Sequence, residues 1–248
     1  MRFPFLKKIT IMKKILFVVL SLCLMAGSSI SCKKKKDKDT APGIPSADLV
    51  IDFSNFNLTN QAVSNRIESK GIDDSNWKSA AQAVAPWKTL VDTKLSVPAN
   101  AFKNASGKSA AQSGSKWEWN YTVSGANAKL IGEPSGDNIS WNLSINDVQL
   151  IIGTSNKDGN SGECTLMEGT TSLVKVNWKA SPKTITYTGL SGALNGKTIE
   201  YGTGSDYNFY YNVDNNTTNI EWNTKKDGRV KSSADGTWKK WNSAYGNE

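Results

Sequence analysis

The residues able to do chemistry in this chain are few in kind. Among 248 residues there is no histidine, which removes the commonest general base and the commonest metal ligand. A Ser-His-Asp triad and any histidine-containing zinc or haem site are excluded with it. The carboxylates could still work in pairs, as two acids do in glycoside hydrolysis. Glu118, Glu200, Asp206 and Glu221 lie in or beside segments of alternating polarity. Glu118 and Glu221 fall on the polar side of that alternation, where a solvated strand carboxylate is the simpler reading. The stretch NKDGNSGE offers Asp158, Asn160 and Glu163 as oxygen ligands but lacks the acidic spacing of an EF-hand loop. In YGTGSD, Tyr201 to Asp206, the glycines lack the spacing of a phosphate loop. No catalytic residue, cofactor or metal site is expected, and an enzyme is the least supported class.

The informative excess is aromatic. Trp117, Trp119, Tyr121, Trp141, Trp178, Tyr187, Tyr207, Phe209, Tyr211 and Trp222 would mostly face one way. Each such side chain buries roughly 150–250 Å², a gross 4–6 kcal/mol or so at ~25 cal/mol/Å² before entropy. They either fill a core, or some line a cup or an exposed platform for an apolar or sugar ligand. The ligand-binding candidates are Trp117, Trp119, Tyr121, Trp141, Trp178, Tyr207, Tyr211, Trp222 and Trp241. In TWKKWN, Trp238 and Trp241 fall on opposite strand faces, and Trp241 is the exposed aromatic chosen for a test.

Strands must position these side chains. WEWNYTVS, ISWNLSIN, VKVNWK, YNFYYNV and NIEWN alternate apolar and polar residues, the pattern of half-buried antiparallel strands. The breaks between them, including LNGK, KKDGR and ADGT, suit tight hairpins that need positive φ. About 10–12 strands in a meander are expected, closed as a lipocalin-like up-and-down barrel or folded as a two-layer sandwich. The polar face, rich in Asn, Thr, Ser and Lys, argues for a domain in water and against an outer-membrane barrel. Before the strands, NQAVSNRIESKG and DDSNWKSAAQAVAPWKTLVDTKL carry apolar residues at helical spacing. Pro86 is expected to break or kink the second of these, giving two or three short helices.

The formal charge of +8 dissolves on partition. Residues 1–31 hold five basic residues and no acidic one, and residues 33–39 hold five lysines and two aspartates. Removing these ten basic and two acidic residues from totals of 30 and 22 leaves 20 of each. A neutral domain has no surplus for the basic patch that nucleic acid would require. Of the three cysteines, Cys23 and Cys32 precede the domain, so Cys164 is alone in it and forms no internal disulfide. It reads as a strand residue.

At the start, MKKILFVVLSLCLMAGSSIS has a basic end, an apolar run of about a dozen residues and small residues before Cys32. The run is too short to span a bilayer, which takes roughly 20 residues, and Met12 reads as the functional start. A signal peptide ending at a cysteine resembles the bacterial lipoprotein type, and the short SC followed by charged residues resembles that of Bacteroidota lipoproteins. The resemblance covers only the first 40 residues. It implies cleavage before Cys32, acylation of that residue, palmitate included, and an outer-membrane location in the cell envelope. Surface-exposed members carry an acidic run where Lys33 to Lys36 stand here, so the periplasmic and the surface face both stay open. The β remainder looks like uncharacterised envelope lipoproteins.

The expected organisation is a signal peptide over 1–31, Cys32 and a flexible charged tether over 32–50, a helical segment over 51–99, and an antiparallel β domain over 100–248. The expected function is a non-catalytic binding module for an apolar or carbohydrate ligand, held to the membrane through Cys32. The alternative is a structural or assembly component of the envelope that binds a protein partner.

Overall fold

The computed structural model describes residues 40–45, 49–58, 71–204 and 206–248. The signal peptide, Cys32, the charged run over 33–39 and NQAVSNRIESK, with its expected helix, lie outside the described residues.

Among the described residues the alternation builds thirteen antiparallel strands, each paired with its sequence neighbours, in the order β1 to β13. They are β1 (Ala111–Ser113), β2 (Lys116–Val123), β3 (Ala126–Ser135), β4 (Asn138–Ile145), β5 (Val148–Asn156), β6 (Ser161–Glu168) and β7 (Thr171–Ala180). The remainder are β8 (Lys183–Gly189), β9 (Thr198–Thr203), β10 (Phe209–Val213), β11 (Thr218–Trp222), β12 (Gly228–Ser232) and β13 (Lys239–Trp241). Tight connections make the meander possible. Asn146 and Asp147 join β4 to β5 with φ of 49° and 61°, the left-handed geometry of a two-residue hairpin turn.

This is the mainly β antiparallel meander that the sequence leads one to expect, but it closes neither as a barrel nor as a sandwich. The sheet is open, with β1 and β13 as its edges. A helix occupies the place that a second sheet or a closed lumen would take. It comprises α1 (Ser75–Leu90), a π-turn (Val91–Leu95) and α2 (Ser96–Ala105), 31 residues without a break.

The helix crosses the strands. Its start packs on β12 and β13 and its end on β2 and β3. Midway, the Trp87 ring lies 6.2 Å from that of Tyr187 on β8, and near the end Phe102 lies 5.7 Å from Trp141 on β4. A helix of this length spans about 46 Å, which matches the roughly 48 Å covered by the ten strand spacings between the β2–β3 and β12–β13 pairs on which its ends pack. The inner aromatics meet the helix along its length.

Pro86 neither breaks nor ends the helix, contrary to expectation. It sits on the exposed side, while Val84, Trp87 and Val91 are buried opposite. An interior proline costs about 3 kcal/mol, less than the gross gain of burying one tryptophan. The π-turn inserts extra backbone, and both Val91 and Leu95 stay on the buried side.

A segment from Leu49 to Phe56 threads between helix and sheet. The Tyr187 hydroxyl accepts from the Ile51 N–H at 2.8 Å and donates to the Leu49 carbonyl at 2.7 Å. Tyr211 donates to the Asp52 carbonyl at 2.5 Å. Before it, the Gly43 N–H donates to the Lys157 carbonyl at 3.0 Å, holding the chain on the β5–β6 hairpin. Parts of the region expected as tether, Ala41–Pro45 and Leu49–Val50, thus belong to the folded unit, which runs from Ala41 to Glu248. The interior is filled. Trp87, Tyr187, Tyr211, Phe56 and Phe102 are fully buried, and the space between Phe56, Trp77, Trp222 and Trp241 has no room for a water molecule.

Candidate functional site on the outer sheet face

Alternation along β9–β12 sends Tyr201, Tyr211 and Trp222 inward and Glu200, Gly202, Tyr210, Glu221, Arg229 and Lys231 outward. Register brings the outward set together. Asn212 stands opposite both Glu200 and Asn219, Tyr210 opposite Gly202 and Glu221, and Glu221 opposite Arg229.

Arg229 is the centre. Its Cζ lies 4.9 Å from the Tyr207 ring centroid and 4.3 Å from that of Trp238, so two aromatic faces hold the guanidinium. Such contacts contribute about 0.5–1 kcal/mol each at exposed sites. Arg229 donates through Nε to Glu221 Oε2 at 2.6 Å and through Nη2 to Asp206 Oδ2 at 3.1 Å. Burial works against its charge, but the bond and charge of Glu221 and the bond to Asp206 more than offset that and hold its proton more tightly than usual. Lys231 Nζ lies 4.8 Å from the Trp238 centroid.

A second group adjoins it. Tyr210 Oη donates to Glu200 Oε1 at 3.0 Å, and Thr186 and Asn212 each donate to the same carboxylate at 3.4 Å. The Tyr210 ring can lie there because its neighbour on β9 is glycine: a Cβ on Gly202 would come within 2.3 Å of Tyr210 Cζ. Burial first, and Glu200 second, push the Tyr210 hydroxyl up to about 12, so it remains a donor at neutral pH. The patch thus offers aromatic faces, an oriented guanidinium and carboxylate, amide and hydroxyl groups on adjacent strands. Those are the parts of a surface for polar ring-shaped ligands.

No protein-family model matches the chain, and neither a curated protein nor a solved structure is found to match it.

Of the nine aromatics expected as candidates, one reaches this patch. Tyr207 precedes β10 in the bend after Gly204 and turns outward, away from the face that Phe209 and Tyr211 occupy. Trp117, Trp119, Trp141, Trp178, Tyr211, Trp222 and Trp241 are buried. Several of their polar atoms serve the fold: Trp141 Nε1 donates to Ser155 Oγ, Trp178 Nε1 to the Gly159 carbonyl and Trp241 Nε1 to the Lys226 carbonyl. Tyr121 is half-buried and donates to the Ala101 carbonyl at 2.6 Å. Trp241, expected to be exposed, is 1% exposed, and Trp238 takes the outer face. Its position three residues before Trp241 gives the right parity, but only the inward anchor of β13 decides which of the two turns out.

The other candidates disperse. Glu118 pairs with Lys129 at 3.0 Å and Glu163 with Lys175 at 2.6 Å, both on the strand surface. Glu200, Asp206 and Glu221 meet in the patch, where each binds a neighbouring side chain. Cys164 is buried, and burial chiefly pushes its thiol up to about 12. It behaves as a core residue.

Proposed function

We propose that this chain is a lipid-anchored envelope lipoprotein whose β domain is a non-catalytic binding module, taking a carbohydrate on the outer face of β9–β12. The observation that carries this reading is the distribution of tryptophan. Eight of nine are buried in the core, and the ninth, Trp238, stacks with Tyr207 around one arginine on the outer face. An apolar ligand inside the sheet finds less support, because the helix and Trp87, Tyr187 and Phe102 occupy that volume.

Iodide quenching isolates the site. The quenchable emission should come from Trp238 and vanish in Trp238→Phe. A bound oligosaccharide should protect it in the wild-type protein. If a broad panel of neutral and charged oligosaccharides leaves Trp238 quenching unchanged, the binding reading fails.

Anchoring rests on the sequence around Cys32. Cys32→Ser should abolish labelling by radioactive palmitate and release the protein from the membrane fraction. A variant still labelled and membrane-bound would remove Cys32 as the attachment point. Protease added to intact cells, aimed at the charged run ahead of Ala41, then separates a surface from a periplasmic domain.

A further inference from the structure

The two carboxylates on Arg229 are unequal partners. Glu221 belongs to β11, stands opposite Arg229 in register, and has a side chain only 16% exposed. It is a fixed counter-ion. Asp206 comes from the bend before β10, 23 residues away in sequence, and its side chain is 85% exposed. Arg229 is itself only 18% exposed, but a carboxylate held from the solvent side contributes little and is free to be exchanged. We infer that Asp206 is a place-holder, and that the ligand of this patch is an acidic saccharide whose carboxylate replaces Asp206 on Arg229. The inference rests on reading the patch as a carbohydrate site.

Three features support the exchange. The guanidinium is held between Tyr207 and Trp238, so its donors are oriented before a ligand arrives, and planar donor edges suit a carboxylate. Tyr207 and Trp238 are each half-buried, and the part of their rings not covered by Arg229 and Lys231 is where the C–H face of a sugar would rest with its acid group at Nη2. Charge favours an anion once Asp206 swings away. Lys231 lies over Trp238, Lys240 stands opposite Arg229 in register, and Glu221 is the carboxylate still bonded to Arg229. Glu200 on β9, three strands from Arg229 on β12, is engaged by Tyr210.

The test uses the full folded domain, tri-galacturonic acid, and the same trisaccharide with its carboxyls methyl-esterified, with Trp238 quenching as readout. The free acid should bind at least tenfold more tightly than the ester, and added salt should weaken it. Asp206→Ala should tighten acid binding by about three- to fivefold, the worth of an exposed ion pair, and leave the ester unchanged. Arg229→Lys, checked for native near-ultraviolet circular dichroism, should lose the preference for the acid. Equal binding of acid and ester, or no gain in Asp206→Ala, would overturn the inference while leaving the platform intact. Failure of both sugars, and of the wider panel, to protect Trp238 would remove the platform as well.

Discussion

Replacing Trp87 with alanine is expected to destabilise the domain by about 3–5 kcal/mol, the range for truncating a buried aromatic. Trp87 is 1% exposed and lies at the middle of the helix, directly after Pro86. Its ring meets Tyr187, whose hydroxyl clasps Leu49 and Ile51. The substitution therefore leaves a cavity where helix, sheet and threaded segment converge. It also removes the burial that offsets the proline beside it. Domains have total stabilities of about 5–15 kcal/mol, so the variant would stand close to unfolding at room temperature. Urea denaturation should show a large fall in midpoint with little change in slope. Trp238→Ala, on the outer face, should stay within about 1 kcal/mol of the wild type. If Trp87→Ala loses no more than Trp238→Ala, the helix is not what holds the sheet.

What the sequence carries, and what it does not, follows from the range of the forces involved. A period of two is local, so the strands can be read from WEWNYTVS or VKVNWK, and so can the inward direction of Trp119, Trp141 and Trp178. The helical stripe of Trp77, Ala81, Val84, Trp87 and Val91 is equally local. Its survival across Pro86 is not, because the burial of Trp87 that outweighs the proline depends on residues far away in sequence, such as Tyr187. Closure is also long-range: identical hairpins can form a barrel, a sandwich or an open sheet, and the amphipathic helix decides among them. The outer patch was half legible. The parity of Trp238 and Trp241 and the carboxylates Glu200, Asp206 and Glu221 stood in view. Arg229 carries no local signal in the sequence, because its partners come from the bend before β10, from β11 and from the residue before β13. Only register joins them.

The same buried hydroxyls that hold the interior should make the domain fail in alkali. Burial is the leading cause in each case. It pushes Tyr121 up to about 12, sends Tyr187 and Tyr211 well above their ordinary 10.0, and raises Tyr201 and Tyr210 as well. The Cys164 thiol rises from 9.0 to about 12. A group whose folded value is raised binds its proton more tightly in the native than in the unfolded chain. Its contribution is then fully present below the unfolded value and is lost as pH climbs toward the folded one. Stability should hold to about pH 9, begin to fall there as unfolded Cys164 ionises, and fall steeply above about pH 10 as the tyrosines join it. Ionising Tyr187 would also remove the proton it donates to the Leu49 carbonyl, and with it one of the bonds that hold the threaded segment. Loss of near-ultraviolet circular dichroism should therefore coincide with the main rise in tyrosinate absorbance. Tyrosines that ionised near their ordinary value while the near-ultraviolet signal stayed native would show that the interior admits water, and the filled core would have to be abandoned.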